Sequence, residues 1–472
     1  MKRIAFILIT VIALASLLFY RSNIREREVV ILSTNDIHAT IDAFPRLVTA
    51  VNMCRDTVST LLLDAGDRWT GNAFVDRAEG RLPIIKLMNA AKYSAATLGN
   101  HEFDRGPALL QGAIDYADFP ILCANMTSHT DSLAQTAPSA FIKLGNGVKV
   151  HIVGVVTNYD NGHPDGTEEV FEHLSFTDPM QAATEQLSAH TDADIKVLLS
   201  HMGDKKDVEY ATMQSGYDVI IGGHTHARVD TLINNTTIGQ TYCRLENVGA
   251  TTIRMKGNKI VSIEYRNIPL AQYDEDTQTK DLVRQIENDP VLGATVGTLA
   301  ADVTSRAGFA QLIIDAIVEG AGAEIGFYHY GGIRLFNHKA GNVMLATVYN
   351  LEPFESKIHT ITMTPAQMRR MIIAKFNDKG NAKESHRVDL FSNTPYTIVT
   401  DNSGEAVDVR FPKLKEGRKY RVAMGDYIGK KYPSIEGENH SLCDILITDL
   451  IFKRFKEHSP LLLDNTQHQN IK

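Results

Sequence analysis

Five short polar clusters in the first half of the chain contain residue types that bind metal ions. Each cluster directly follows a short run of β-branched or aliphatic residues. The clusters occupy residues 35–38, 64–67, 99–102, 200–201 and 222–226. Ligand-binding and catalytic groups of α/β folds gather beyond the carboxyl ends of strands, where the loops converge on one crevice. The pattern therefore predicts that the five clusters form a single site.

The side chains in these clusters are suited to hold two divalent metal ions. They comprise two carboxylates, one amide oxygen and four imidazoles. These are Asp36, Asp67, Asn100, His38, His201, His224 and His226. Mixed nitrogen and oxygen ligands suit zinc, manganese, iron or cobalt better than calcium or magnesium. The two aspartates cancel only half of the charge of two divalent ions, and the surplus matches a phosphate dianion and an attacking hydroxide.

The elements that must position these clusters read as a layered α/β domain from about residue 29 to 270. The apolar runs are short enough to be buried strands, and helical patterning lies between them. The predicted strands are 29–33, 61–63, 95–98, 151–156, 196–199 and 219–221. A polar, charged stretch at 271–295 predicts a linker helix. A second α/β domain follows at 296–455, with a tail at 456–472.

The N-terminal residues 1–28 have the pattern of an export signal. Lys2 and Arg3 precede an apolar run at 4–20, and a polar stretch follows at 21–28. This order of basic and apolar regions is typical of exported proteins. The run fits either a cleaved signal peptide or an uncleaved membrane anchor, because its length approaches that of a membrane span. We therefore expect a periplasmic or cell-surface protein.

The net charge and the cysteines restrict the partners further. The formal net charge of −8 argues against a nucleic-acid polymer as partner, because phosphate backbones select basic surfaces. The four cysteines are widely spaced, and no disulfide pairing is favoured by their positions. The charge balance leaves room for a local cationic site that binds a small phosphate.

The ordered clusters resemble the calcineurin-like metallophosphoesterases, and residues 35–38, 99–104 and 222–226 resemble the 5′-nucleotidase branch of that family. The resemblance implies a layered β-sandwich flanked by helices, followed by a second α/β domain that binds substrate. It also implies two metal sites that share one carboxylate. One site would comprise Asp36, His38, Asp67 and His226, and the other Asp67, Asn100, His201 and His224.

His101 and Asp104 resemble the catalytic pair of the same family. Three positions apart on a helical turn, the Asp104 carboxylate can orient the His101 imidazole and favour its protonated form. A protonated His101 would stabilise charge on the phosphoryl oxygens or on the leaving group.

The second domain contains segments that resemble the substrate-binding part of the family. Residues 330–334 form a glycine turn ending in an arginine, and the resemblance assigns two aromatic rings to the base. The substrate residues implied are Gly332, Arg334, Phe354 and Tyr427, with Arg306 as a candidate phosphate contact. The chain departs from the family at His329, at residues 310–311 and at residues 428–433, so the nucleoside specificity stays open.

Three functions follow as hypotheses. The first is hydrolysis of nucleoside 5′-monophosphates or related extracellular nucleotides. The second is a cyclic-nucleotide phosphodiesterase or a nucleotide-sugar pyrophosphatase that uses the same metal centre. The third is a non-catalytic binding protein that retains the fold, which should have lost metal ligands. Every expected ligand position is occupied in this chain.

Overall fold

The computed structural model describes residues 26–159, 161–214, 216–377, 388–431 and 435–472. The apolar run at 4–20, on which the predicted export signal and membrane anchor rest, lies outside the described residues. Within them, no helix is both long enough and apolar enough to cross a membrane. All four cysteines lie in the described part of the chain and are free thiols.

The chain divides into two compact units. The first consists of the described residues up to Thr70 together with Arg77–Glu287, and the second of Gly71–Asp76 together with Asn288–Lys472. The charged helix Thr277–Glu287 belongs to the first unit and contacts its helices Phe44–Arg55 and Leu82–Ala91.

The first unit contains fourteen strands among its described residues, and most of them belong to two six-stranded sheets. In chain order, β1–β14 are Glu26–Thr34, Ser59–Asp64, Ala95–Thr97, Ile121–Leu122, Met126–Ser128, Ser139–Lys143, Lys149–Val156, Leu174–Phe176, Ile195–His201, Val219–Gly222, Arg228–Ile233, Thr236–Thr241, Asn247–Lys256 and Lys259–Pro269. The helices are Phe44–Arg55, Leu82–Ala91, Pro107–Tyr116, Pro179–Gln186, Asp204–Met213 and Thr277–Glu287.

The two sheets of the first unit pack face to face. Their strand orders are β14-β13-β1-β2-β3-β4 and β11-β12-β10-β9-β7-β6. Apolar side chains of both sheets form one buried cluster, in which Ile31 and Leu63 of one sheet join Ile152 and Leu199 of the other. Helices cover the outer faces, so the central parallel strands are buried on both sides and read as continuous apolar runs. The predicted layered sandwich is confirmed.

The strands that precede the polar clusters end at matching positions. Thr34 at the end of β1 pairs with Asp64 at the end of β2, and in the second sheet Ser200 of β9 pairs with Gly222 of β10. Because β1 and β2 are parallel, as are β9 and β10, each pair sends its following loops out at the same edge of its sheet.

The second unit contains ten strands among its described residues. They are β15–β24, at Thr295–Leu299, Ile325–His329, Gly341–Met344, Lys357–Met363, Leu390–Ser392, Tyr396–Thr400, Ala406–Arg410, Tyr420–Gly425, Glu438–Leu446 and Gln469–Ile471. The helices are Ala73–Asp76, Arg306–Ala321, Leu345–Leu351, Pro365–Asn377, Asp426–Lys431 and Ile447–His458. A five-stranded sheet of order β19-β16-β22-β18-β23 carries one apolar cluster on each face.

Residues 71–76 join the second unit although the flanking residues belong to the first. Ala73 packs in an apolar cluster with Leu292 and Ala346, and its backbone N–H donates to Asn350 Oδ1 at 2.5 Å. Nothing in the local sequence pattern indicates this association, because it depends on contacts with residues more than two hundred positions away.

Candidate metal centre

The predicted metal-binding side chains lie together beyond the ends of β1, β2, β9 and β10. Two groups of three residues each offer ligand atoms within 4.8 Å of one another. The groups are Asp36, His38 and His226, and Asp67, His201 and His224. Asn100 joins the second group, since its Oδ1 lies 3.0 Å from His224 Nδ1. The structure thus brings together all seven side chains that the sequence selects.

Asp67 lies between the two groups. Its carboxylate Oδ2 is 3.3 Å from His201 Nε2, and a ligand atom of Asp67 also lies within 4.8 Å of ligand atoms of His38 and His101. A carboxylate in this position has the reach of a bridge between two cations.

The imidazole nitrogens at the centre fit a set of metal ligands. His38 Nε2 lies 2.8 Å from His226 Nε2, and His201 Nε2 is buried with no hydrogen-bond partner. His201 Nδ1 donates to the carbonyl oxygen of Ala65 at 2.6 Å, which directs Nε2 toward Asp67. A backbone carbonyl that orients a metal-binding histidine in this way is a common second layer around such sites.

Carboxylates and imidazoles at the centre shift one another's pKa values. Burial opposes ionisation of Asp67, but His201 and His101 outweigh it and hold the pKa of Asp67 well below its ordinary value. Burial raises the pKa of Asp36 to about 7, although His201 counteracts it. The pKa of His201 rises to about 10, because Asp67 outweighs the effect of burial. Crowded carboxylates and imidazoles of this kind fit a site whose charges are set by metal ions.

Five of the seven side chains sit on backbone in the left-handed region. The residues are Asp36 (φ 50°), His38 (φ 48°), Asp67 (φ 59°), His224 (φ 80°) and His226 (φ 52°). Positive φ is uncommon for residues other than glycine and costs on the order of 1–3 kcal/mol each, so surrounding contacts must hold it in place.

The buried carboxylate of Glu102 fixes the loop of Asp67 against the loop of Gly99. Its Oε2 accepts the backbone N–H of Asp67 at 3.0 Å and that of Gly99, and its Oε1 accepts the N–H of Arg68 at 2.8 Å. The Arg68 guanidinium in turn donates to Asp64 Oδ1 at 2.9 Å. All three charged side chains are at most 1% exposed. Glu102 lies in the predicted cluster 99–102, but its residue type and position do not reveal this role.

Glycine at positions 66 and 99 allows these two loops to touch. A Cβ at Gly66 would lie 2.6 Å from the backbone nitrogen of Gly99, and a Cβ at Gly99 would overlap the Asp67 carboxylate. Gly66 also has φ +93°, a conformation that side chains disfavour.

The loop after β10 is held directly on Asp36. The backbone N–H of His224 donates to the Asp36 carboxylate at 3.0 Å, and Asn35 Nδ2 donates to the same carboxylate at 2.6 Å. Asn35 Oδ1 accepts the N–H of Thr241 at 2.8 Å. Asn35 thereby connects the two sheets beside the centre.

His101 and Asp104 form the pair expected from their spacing. His101 lies on the 3₁₀ turn His101–Phe103, and its Nδ1 is 2.9 Å from Asp104 Oδ2. Asp104 also accepts the Thr70 hydroxyl at 2.5 Å. Burial opposes ionisation, but His101 keeps the pKa of Asp104 below its ordinary value. The backbone N–H of His101 donates to Asp67 Oδ1 at 2.9 Å, which ties the pair to the centre.

The predicted substrate residues of the second unit form three small groups. The Arg334 guanidinium lies 5.2 Å from the centroid of the Phe354 ring. Arg306 lies 4.0 Å from the Tyr330 ring and 4.2 Å from the Phe336 ring. The sequence pattern does not indicate that Tyr330 and Phe336 contact Arg306.

Tyr427 and Gly332 share His329 as a neighbour. The Tyr427 ring stacks on the His329 ring, with centroids 4.9 Å apart and planes at 28°. A Cβ at Gly332 would lie 2.5 Å from His329 Cε1, so the glycine leaves room for that imidazole. Tyr427 also packs against an apolar core cluster of the unit.

Comparisons with known proteins agree with this architecture. A calcineurin-like phosphoesterase family model matches residues 29–228, and a model of the 5′-nucleotidase C-terminal domain matches residues 284–434. The trifunctional nucleotide phosphoesterase protein YfkN of Bacillus subtilis is 27% identical, over 85% of this chain and 32% of its own length. This chain therefore spans about a third of that relative.

Two further similarities extend over most of both proteins. Protein UshA of Yersinia enterocolitica is 26% identical over 87% of this chain and 85% of its own length. The crystal structure of a 5′-nucleotidase precursor from Thermus thermophilus superposes with a TM-score of 0.81 at 19% identity, covering 94% of this chain and 99% of the other. The structural likeness concerns the fold.

The Glu102→Gln variant should lose metal affinity while the protein stays folded. Glutamine offers one acceptor oxygen where two oxygens now receive three backbone N–H groups, and its own NH₂ would face a donor. Loss of such an orienting partner typically lowers metal affinity about 10–100-fold. Competition against a chromogenic chelator measures the affinity, and Trp69, the single tryptophan, reports folding of the first unit.

The exposed Glu172→Gln variant serves as the control for Glu102→Gln, because it removes the same charge from the surface of the same unit. A Glu102→Gln protein with the metal affinity of the control would contradict the role assigned to this carboxylate.

Proposed function

Because the chain belongs to the calcineurin-like phosphoesterases that carry a 5′-nucleotidase C-terminal domain, we propose that it hydrolyses nucleoside 5′-monophosphates or related extracellular nucleotides. The chain is a hydrolase of phosphoric esters. The observation that most supports the proposal is the position of Asp67 between two groups of nitrogen and oxygen ligands.

Divalent metal ions are the cofactors of this reaction, and we assign two of them. Asp36, His38, Asp67 and His226 would hold one ion, and Asp67, Asn100, His201 and His224 the other. The donor set suits zinc, manganese, iron or cobalt. Bound at this centre, the ions would supply an activated water and positive charge for the phosphoryl oxygens.

His101 holds a proton next to the candidate metal centre. Asp104, kept ionised by its neighbours, accepts from His101 Nδ1 and stabilises the imidazolium form. The opposite nitrogen, Nε2, is then the donor to a phosphoryl oxygen or to the leaving-group oxygen. The backbone N–H of His101 also donates to Asp67. The position of the proton donor relative to the proposed bridging ligand is therefore fixed.

The second unit supplies recognition of the nucleotide. Phe354 is 36% exposed, and we assign its ring to the base, with Tyr427 as the second aromatic ring. The guanidinium groups of Arg334 and Arg306 are suited to bind phosphate or carboxylate oxygens, and Gly332 lets the backbone approach the ligand.

Two further proposals concern location and partners. Export to the periplasm or cell surface rests on the sequence pattern of residues 1–28. A nucleic-acid polymer is not the expected substrate, because the net charge of the chain is −8.

Other nucleotide esters are also candidate substrates, because metal ions act on the phosphorus atom whatever its substituents. The Bacillus relative is named a trifunctional nucleotide phosphoesterase. Cyclic nucleotides and nucleotide sugars are therefore the alternative substrates. A non-catalytic binding protein is disfavoured, since all seven ligand positions carry a metal-binding side chain.

The purified chain, reconstituted with manganese or zinc, should release phosphate from AMP, and the Asp67→Ala variant should not. The variant would remove a ligand from both proposed metal sites and leave excess positive charge. We expect loss of turnover together with loss of bound metal, measured by phosphate release and elemental analysis. The surface variant Asp131→Ala is the control.

The same assay is run with a cyclic nucleotide and a nucleotide sugar. Two bound metals and normal turnover in Asp67→Ala would contradict the assignment of the centre. A wild-type enzyme that cleaves only the other esters would contradict the nucleoside monophosphate proposal.

The double variant Phe354→Ala, Tyr427→Ala should hydrolyse nucleotides poorly but should retain its activity on small aryl phosphates. Stacking contributes about 1–3 kcal/mol per base in nucleic-acid binders, so kcat/KM for AMP should fall at least about tenfold. Hydrolysis of nitrophenyl phosphate, which lacks a base, serves as the internal control. Unchanged kcat/KM for AMP would identify both rings as packing residues.

A further inference from the structure

Two histidines of the second unit contact each other, and neither belongs to the candidate metal centre. His359 lies on β18 and His440 on the neighbouring antiparallel strand β23. His359 Nε2 is 3.1 Å from His440 Nδ1, with the ring centroids 5.3 Å apart and the planes at 75°. His359 is 9% exposed, whereas the His440 side chain is exposed to solvent.

The separation of the two nitrogens matches that of two ligands on one cation. Zinc–nitrogen distances of about 2.0–2.1 Å in a tetrahedral site put two nitrogens roughly 3.3 Å apart. The same close approach, with the ring planes at 72°, joins His38 and His226 in the candidate metal centre, where the nitrogens are 2.8 Å apart. The distance between the two nitrogens is short enough for both to bind one ion in place of the hydrogen bond they now share.

The His359 ring is held in position by the helix Asp426–Lys431. A Cβ at Gly429 would lie 2.5 Å from His359 Cγ and 2.7 Å from its Nδ1, so the backbone of this helix rests directly on the imidazole. A ligand whose orientation is fixed by packing loses little freedom when it binds a metal.

We propose that His359 and His440 form a separate binding site for a divalent transition-metal ion such as Zn²⁺, Ni²⁺ or Cu²⁺. Imidazole nitrogens suit these ions, and water completes the coordination because His440 faces the solvent. The ion would tie β23 to its neighbour. β23 is the edge strand of the five-stranded sheet, pairs only with β18 among the described residues, and has mostly exposed side chains.

A second group of the same unit does not support a comparable site. Glu319, Glu457 and His458 also lie within 4.8 Å of one another, but all are exposed and Arg454 already donates to Glu319 at 2.9 Å. The His359–His440 pair differs because one ligand is buried and fixed by packing.

The test is a Zn²⁺ titration of the metal-free full chain in competition with a chromogenic chelator. His440→Ala should bind one Zn²⁺ ion fewer per chain than the wild type, while hydrolysis at the candidate metal centre is unchanged. The control His468→Ala removes another exposed histidine of the same unit and should match the wild type. Because His440 is exposed, its replacement should not prevent folding.

A Cu²⁺ spectrum supplies an independent readout. Electron paramagnetic resonance at saturating Cu²⁺ should include a signal coupled to two nitrogens that disappears in His440→Ala and in His359→Asn. Equal Zn²⁺ stoichiometry in all three proteins, or an unchanged Cu²⁺ spectrum in His440→Ala, would overturn the proposal and leave the pair as a hydrogen bond. Both results are independent of phosphoesterase activity.

Discussion

The candidate metal centre depends on one buried carboxylate. Glu102 accepts backbone N–H groups from both the Asp67 loop and the Gly99 loop, and Arg68 and Asp64 extend this network into the interior. Loss of this acceptor would leave buried backbone N–H groups of both loops without a partner, and the two loops would no longer be held together. The network therefore fixes Asp67, the residue that we propose as the bridge between two metal sites.

The network also explains how strained backbone persists at the centre. Asp67 has φ 59°, and its N–H is one of the groups that Glu102 accepts. In the other sheet, the loop of His224, with φ 80°, is held by the N–H that donates to Asp36. Both of these strained ligands are thus restrained by a hydrogen bond of their own backbone. The same restraints help to fix the positions from which the Asp67 and His224 side chains reach the centre.

The fold class and the residues that gather at the centre could be predicted from local sequence, because each polar cluster directly follows a buried apolar run. Asp36 and His38 follow β1, for example, and His224 and His226 follow β10. Their convergence is a general consequence of where parallel strands end. The spacing of His101 and Asp104 likewise determined their contact, since both lie on one turn.

Other features could not be predicted because they depend on contacts between distant parts of the chain. The association of residues 71–76 with the second unit requires Asn350, and the acceptor role of Glu102 requires the turn at Gly66. The stacking of His329, the last residue of β16, on Tyr427, which follows β22, joins two distant parts of the chain, and no local pattern signals it. The departure from the family at His329 could therefore be related to Tyr427 only through the structure.

The central claim is that Asp67 is shared by two metal ions. A crystal of the full chain grown with Mn²⁺ and measured for anomalous scattering tests this claim directly. The account predicts two anomalous peaks about 3.5–4 Å apart with the Asp67 carboxylate contacting both, as in other two-metal hydrolases. A single peak, or two peaks of which only one contacts Asp67, would contradict it.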